Sequence, residues 1–155
     1  MGTEIERKFL VISDAYKSGA TPVLMRQGYL SADPQRTVRI RTAGVATTLT
    51  IKGFTVGATR SEFEYAIPAD DADALLALCL RPLIEKTRYH VRLGMHVWEV
   101  DEFRGDNLGL VIAELELRSE DEAFERPTWL GNEVTNDVRY YNSALITYPF
   151  TRWRT

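Results

Sequence analysis

Like charges recur two residues apart along this chain, at Glu4 and Glu6, Arg39 and Arg41, Glu62 and Glu64, Lys86 and Arg88, and Glu114 and Glu116. In a β-strand, residues i and i+2 lie on one face and each residue rises about 3.3 Å, so each pair stands roughly 7 Å apart on one side of a sheet. Two like charges at that distance repel by about 0.6 kcal/mol in water and by roughly 2.5 kcal/mol at an effective dielectric of about 20. Interleaving Glu with Lys along each strand would remove the repulsion. The plain alternatives are solvent-facing strand surfaces, with Ile5, Phe9, Val38, Ile40, Phe63, Tyr65, Val111, Ala113, Leu115 and Leu117 facing a core, or an internal salt-bridge network. Neither accounts for the segregation of sign strand by strand. Carboxylate pairs suit metal cations and guanidinium pairs suit phosphates, so the pattern favours a site.

The alternation predicts strands over roughly 3–12, 22–31, 36–43, 45–54, 59–67, 83–93, 95–103 and 109–118. Short connections containing Gly44, Gly57, Gly94 and Gly105-Asp106-Asn107 suit antiparallel neighbours. A helix is expected from Asp70-Asp71 to about Leu80, with Ala72, Leu75, Leu76 and Cys79 on one face and Pro82 beyond it. Ser119 and Glu122 have the form of a capping box, which predicts a short acidic helix before Pro127. A third helix is expected from 135–137 through Tyr148. The fold class is α+β, dominated by an antiparallel sheet with a few peripheral helices. Eight strands with a charged inner face suggest closure, because a barrel of that size holds one small ligand and leaves few edges.

With 155 residues, 45% of them hydrophobic, the chain fits one domain over 1–155. A formal charge of −3, with basic residues paired inside strands, argues against nucleic-acid binding. Cys79 is the single cysteine, so neither an intrachain disulfide nor a thiolate metal site is expected. No apolar run reaches the roughly 18 residues that span a bilayer, and no secretory leader is evident, so no membrane partner and a cytoplasmic location are expected.

Glu4-Ile5-Glu6-Arg7-Lys8, followed by Gln27-Gly28-Tyr29-Leu30, Val38-Arg39-Ile40-Arg41, Leu49-Thr50-Ile51-Lys52, Glu62-Phe63-Glu64-Tyr65, Glu85-Lys86-Thr87-Arg88-Tyr89, Val100-Asp101-Glu102-Phe103 and Ala113-Glu114-Leu115-Glu116, resembles the CYTH domain, or triphosphate tunnel metalloenzymes, whose first strand carries an ExExK signature. The resemblance covers nearly the whole chain and is strongest to short bacterial members, including those that hydrolyse inorganic tripolyphosphate. It implies a closed eight-stranded antiparallel tunnel that cleaves a triphosphate with Mg2+ or Mn2+, as two ions.

Magnesium and manganese take oxygen ligands and bridge carboxylates to substrate phosphates, so Glu4, Glu6, Glu62, Glu64, Asp101, Glu114 and Glu116 form the pool of ligands. Carried over residue by residue, the resemblance implies Glu4, Glu6 and Glu116 around a substrate-bridging metal, with Glu64, Asp101 and Glu114 near a second ion. Glu62 is equally suited to orienting a basic neighbour. Lys8, Arg39, Arg41, Lys52, Lys86 and Arg88 supply charge for a linear triphosphate. Lys86, ahead of Lys52, is the candidate for proton transfer, since neighbouring cations favour a neutral amine. Tyr29 is a cavity or a core residue, and His90 shares a phase with Lys86 and Arg88 but is expected to face solvent.

Inorganic tripolyphosphate leads the expected substrates, because no nucleobase-recognition motif is evident. A class IV-type adenylate cyclase acting on ATP and a thiamine triphosphatase are the enzymatic alternatives, and a non-catalytic polyphosphate-binding module is the alternative of another kind. Monomer and homodimer are both compatible with the sequence.

Overall fold

The computed structural model describes residues 2–153. Its strands are β1 (Thr3–Val11), β2 (Thr21–Ser31), β3 (Arg36–Ala43), β4 (Ala46–Gly53), β5 (Thr59–Ala66), β6 (Ile84–Leu93), β7 (His96–Phe103), β8 (Val111–Glu116) and β9 (Leu130–Glu133). They are joined in the order β5-β4-β3-β2-β6-β7-β8-β1, and a further β1–β5 pairing closes eight of them into an antiparallel barrel. Strand β1 achieves this by splitting its partners, with Thr3–Ile5 against β5 and Glu6–Leu10 against β8. The short β9 adds to β1 through Phe9 and Val11.

The β3–β4 and β6–β7 hairpins turn through Gly44 at φ 59° and Gly94 at φ 62°. A two-residue turn needs this left-handed backbone to match the twist of its strands, and glycine adopts it without steric penalty.

Because alternate residues of the strands turn charge inward, much of the apolar packing lies outside the barrel wall. Phe9, Trp98, Val100, Ala113 and Leu115 pack with Tyr16, Leu117, Trp129 and Leu130. Edge-to-face contacts tie Trp98 to Phe9, Phe124 and Trp129 at centroid distances of 5.6, 5.7 and 5.7 Å. On the other side, α1 (Ala72–Leu78) lays Leu76 on Ile40, with Cys79 just past its end. Leu76 is 2% exposed, and burial of one such side chain contributes about 1.5–3 kcal/mol. A third cluster of Tyr29, Ile84, Phe103 and Ile112 meets Leu145 and Ile146, so the C-terminal segment packs against an apolar end of the barrel.

Several expectations change. Phe63 and Tyr65 keep the predicted phase but are 46% and 55% exposed, because α1 covers β3 and no layer among the described residues covers the outer face of β5. The expected helix at Ser119 does not form. Glu122 accepts from the Arg118 backbone N–H and pairs with His96 at 2.6 Å, while Ser119 donates to Asp121, so the capping pattern is diverted into a loop. The expected long helix from 135 to 148 is only a 3-10 turn at Val138–Tyr140 and the four-residue α2 (Asn142–Leu145). Among the described residues, no helix is long and apolar enough to cross a membrane.

Candidate active site

One cavity of about 230 Å³ runs into the barrel, and its walls are charged. Strand β1 contributes Glu4, Glu6 and Lys8; β3 Arg39 and Arg41; β4 Thr50 and Lys52; β5 Arg60, Glu62 and Glu64; β6 Lys86 and Arg88. Glu99 of β7 and Glu114 and Glu116 of β8 complete the ring, with Tyr29, Tyr141 and Asn142 at the side of the C-terminal segment. Every sequence-predicted site residue except Asp101 lines this space.

Acids crowd one arc of the wall. Glu6 and Glu116 are direct partners across β1 and β8, and carboxylate oxygens of Glu6, Glu99 and Glu114 lie within 4.8 Å of one another. Burial and the nearby Glu114 push the Glu6 carboxyl up to about 7, with Lys8 only partly offsetting them. Burial raises Glu116 too, reinforced by Glu4 and Glu6. Glu114 goes the other way. Burial opposes its charge, but Lys8 and Arg88 outweigh that and Asp101, and lower it to about 2. Lys8 is hydrogen-bonded to Glu114, and Arg88 Nη2 reaches it at 3.3 Å. Glu4 is 5% exposed and accepts from Lys52 Nζ at 3.0 and 3.1 Å, while Glu62, weighed both as a ligand and as a partner for a basic neighbour, lies 3.4 Å from the same amine.

Cations occupy the other arc. Arg39 donates to Thr50 at 3.1 Å and stands 3.7 Å from Glu64. Arg41 faces the cavity with no carboxylate within 4.0 Å among the described residues, and its buried Nε has no partner. Burial, then Arg39 and Arg88, lower its pKa to about 10. A guanidinium held so is a ready anion receptor. Lys86 is 1% exposed, and burial lowers its pKa to about 8, with Arg88 adding to the effect and Asp101 opposing it.

Asp101, expected as a ligand of a second ion, sits behind the wall. Arg88 grips both its oxygens at 2.7 and 2.9 Å and Lys86 Nζ lies 2.8 Å away, so its charge is spent on these cations. Burial works against that charge, yet Arg88 and Lys86 hold the carboxyl well below its ordinary range. Among the described residues the acids that come within 4.8 Å of one another are Glu6, Glu99 and Glu114, while Glu64 has Arg39 and Thr50 as partners. Glu99, which the sequence reading did not include among the ligands, stands beside Glu6 and Glu114. It lies two residues before Asp101 and so on the same strand face, a signal that period-two reading carries. Arg60 and Asn142 were also missed. His90 lies outside the cavity wall, 43% exposed and 3.7 Å from Glu99. Tyr29 does both jobs weighed for it, lining the cavity and packing in the apolar cluster beneath.

The closed antiparallel barrel is matched by comparison with known proteins. The CYTH domain family model matches residues 2–144. The chain belongs to the CYTH family. It is 49% identical over 155 residues to an inorganic triphosphatase of Acetivibrio thermocellus, covering 99% of each chain. It is 38% identical over 148 residues to an inorganic triphosphatase of Nitrosomonas europaea, covering 92% of this chain and 96% of the other. A crystal structure of an inorganic triphosphatase superposes at TM-score 0.65 with 36% identity, over 92% of this CYTH chain and 96% of that one. A putative adenylate cyclase from Bacillus halodurans shares the fold at TM-score 0.61, 19% identity and coverage of 78% and 84%.

Proposed function

We propose that this CYTH protein hydrolyses inorganic tripolyphosphate to pyrophosphate and phosphate with the help of Mg2+ or Mn2+. The observation that carries the reading is the facing of two arcs in one small cavity: a cluster of carboxylates against an arginine, Arg41, with no carboxylate within 4.0 Å among the described residues. Burial and neighbouring acids raise Glu6 and Glu116, which are therefore short of positive charge, and Glu6 stands in one cluster with Glu99 and Glu114, so these acids, with Glu4 beside them, suit divalent cations. Such ions, when bound, polarise phosphoryl oxygens and lower the pKa of bound water.

The chain's own residues bind and orient. Arg41 receives phosphate oxygens without first surrendering a carboxylate, whereas Arg39 exchanges a 3.7 Å contact with Glu64 for them. Lys8, Lys52 and Arg88 supply further charge while retaining their acids. Lys86 Nζ spends bonds on Asp101 and Asn142 and has one N–H left for the cavity, where it holds or delivers a proton. Hydrolysis forms one bond from water oxygen to phosphorus and breaks one from phosphorus to the bridging oxygen. Pyrophosphate leaves, and the proton lost by water ends on the departing oxygen, either directly or by replacing a proton that Lys86 has first delivered there. Asp101 serves as the fixed counter-ion that sets Arg88 and Lys86.

The polar lining also favours a bare phosphate chain over a nucleoside or thiamine ester. The test is a panel of tripolyphosphate, ATP and thiamine triphosphate with magnesium or manganese, separating phosphate release from cyclic-nucleotide formation. The highest kcat/KM on tripolyphosphate is expected. Cyclic AMP as the main product, or binding without turnover, would replace the reading.

A further inference from the structure

Asn142 stands in the first turn of α2, in a segment whose pattern suggested only an ordinary helix, yet its side chain joins the most buried polar group of the barrel. Its Oδ1 accepts from Lys86 Nζ at 2.8 Å and from Gln27 Nε2 at 2.9 Å. Gln27 is fully buried on β2, and its Nε2 also lies 3.5 Å from Tyr29 Oη. The orientation of both amides follows from chemistry. A protonated lysine only donates, so Asn142 must turn its oxygen to Lys86, and Gln27 must then offer its amino group to that oxygen.

Lys86 has three N–H bonds. Asp101 takes one at 2.8 Å and is itself locked by the two-point grip of Arg88. Asn142 takes the second from the C-terminal side. We propose that Asn142 is a positioning residue for the reaction, fixing the Lys86 amine between two acceptors so that its remaining N–H is aimed into the cavity. Without the Asn142 oxygen, the amine has a single anchor and swings on four flexible bonds.

The support behind Asn142 fits this work. Leu145 and Ile146, one turn on, are buried against Tyr29, Ile84 and Phe103, and Phe150 N–H donates to Asn107 Oδ1 at 2.8 Å. A group that must hold another to within a fraction of an ångström is itself held by packing.

The inference rests on the triphosphatase reading, and its test separates the two. Asn142→Leu keeps the size and removes the acceptor; Asn142→Ser draws the acceptor back by one bond, away from Lys86, without apolar bulk; Asn142→Asp keeps it. We expect Leu and Ser to lower kcat on tripolyphosphate about tenfold or more with KM changed less than about threefold. Asp should retain most of kcat and raise KM through its added negative charge. In a Lys86→Ala background, Asn142→Leu should have less than about a twofold further effect, because residues that act as a unit are non-additive. Independent additive losses, or a change in KM alone, would overturn the role. The Lys86 15Nζ resonance, assigned by its absence in Lys86→Ala, reads the geometry without turnover. It should be sharp in the wild type and broadened or lost in Asn142→Leu and Asn142→Ser. If the wild type cleaves no triphosphate, the functional reading falls while this resonance still decides the positioning, and a resonance unchanged by removal of the acceptor would sink it.

Discussion

Glu6 faces Glu116 directly across the β1–β8 pairing, acid against acid, one step from the favourable Lys8–Glu114 pair in the same ladder. Sheets ordinarily set unlike charges opposite each other, and like charges in that position are destabilising. The arrangement makes sense when something positive is to be shared.

Glu6→Gln is therefore expected to reduce metal-dependent turnover by roughly a hundredfold or more while leaving the fold intact. In protein stripped of divalent cations, its melting temperature at pH 8 should equal or exceed that of the wild type. Steady-state kinetics and calorimetry in chelator check both outcomes, and near-normal turnover would remove Glu6 from the ligand set.

The metal-free protein should show a stability maximum at mildly acidic pH. Glu6 is raised from its ordinary 4.5 to about 7, so the folded state binds that proton more tightly. This contribution is full below about 4.5 and is lost as pH climbs through 7. Glu114 is lowered to about 2, so its contribution is present above 4.5 and lost as pH falls. Melting temperature should thus rise from pH 2 to 4.5 and fall from 4.5 to 7, and Glu6→Gln should flatten the upper limb alone.

Arg41→Ala should raise KM for tripolyphosphate about ten- to a hundredfold, as the loss of a charge-assisted bond implies, without lowering stability. Arg39→Ala should act more mildly on KM and cost some stability, because Arg39 also holds Thr50 and Glu64. Kinetics with urea unfolding of both variants tests the contrast, and equal behaviour would contradict it.

Gly28→Ala tests the packing of the wall. A Cβ there would stand 2.7 Å from both Cys79 Cβ and Leu83 Cδ2, closer than real side chains approach. A loss of about 1–3 kcal/mol in urea unfolding is expected, with KM nearly unchanged if the strain stays on the outer surface.

Much of this was legible because a strand writes its faces in alternation. The eight barrel strands, and the inward turn of Glu4, Glu6, Lys8, Arg39, Arg41, Lys86 and Arg88, follow from spacing. For Asp101 periodicity gives the face but not the depth, and the three cationic contacts that bury it lie on a neighbouring strand. β9 is four residues long with Gly131 inside it, too short to announce itself, and exists because β1 offers it an edge. Asn142 carried no signal, since its partners lie on β2 and β6 and chain order says nothing of that meeting.

The closure of the barrel by β1 also sets a timetable. Its residues emerge before those of β8, so Glu6 must wait for Glu116 before either has its neighbour. At about 5–20 residues per second, a ribosome needs on the order of 5–20 s to deliver β8 after β1. Both flanks of β1 are open until β5 emerges and one stays open until β8 does, so a product truncated before β8 has neither cavity nor closed edge and exposes a strand to chaperones and proteases.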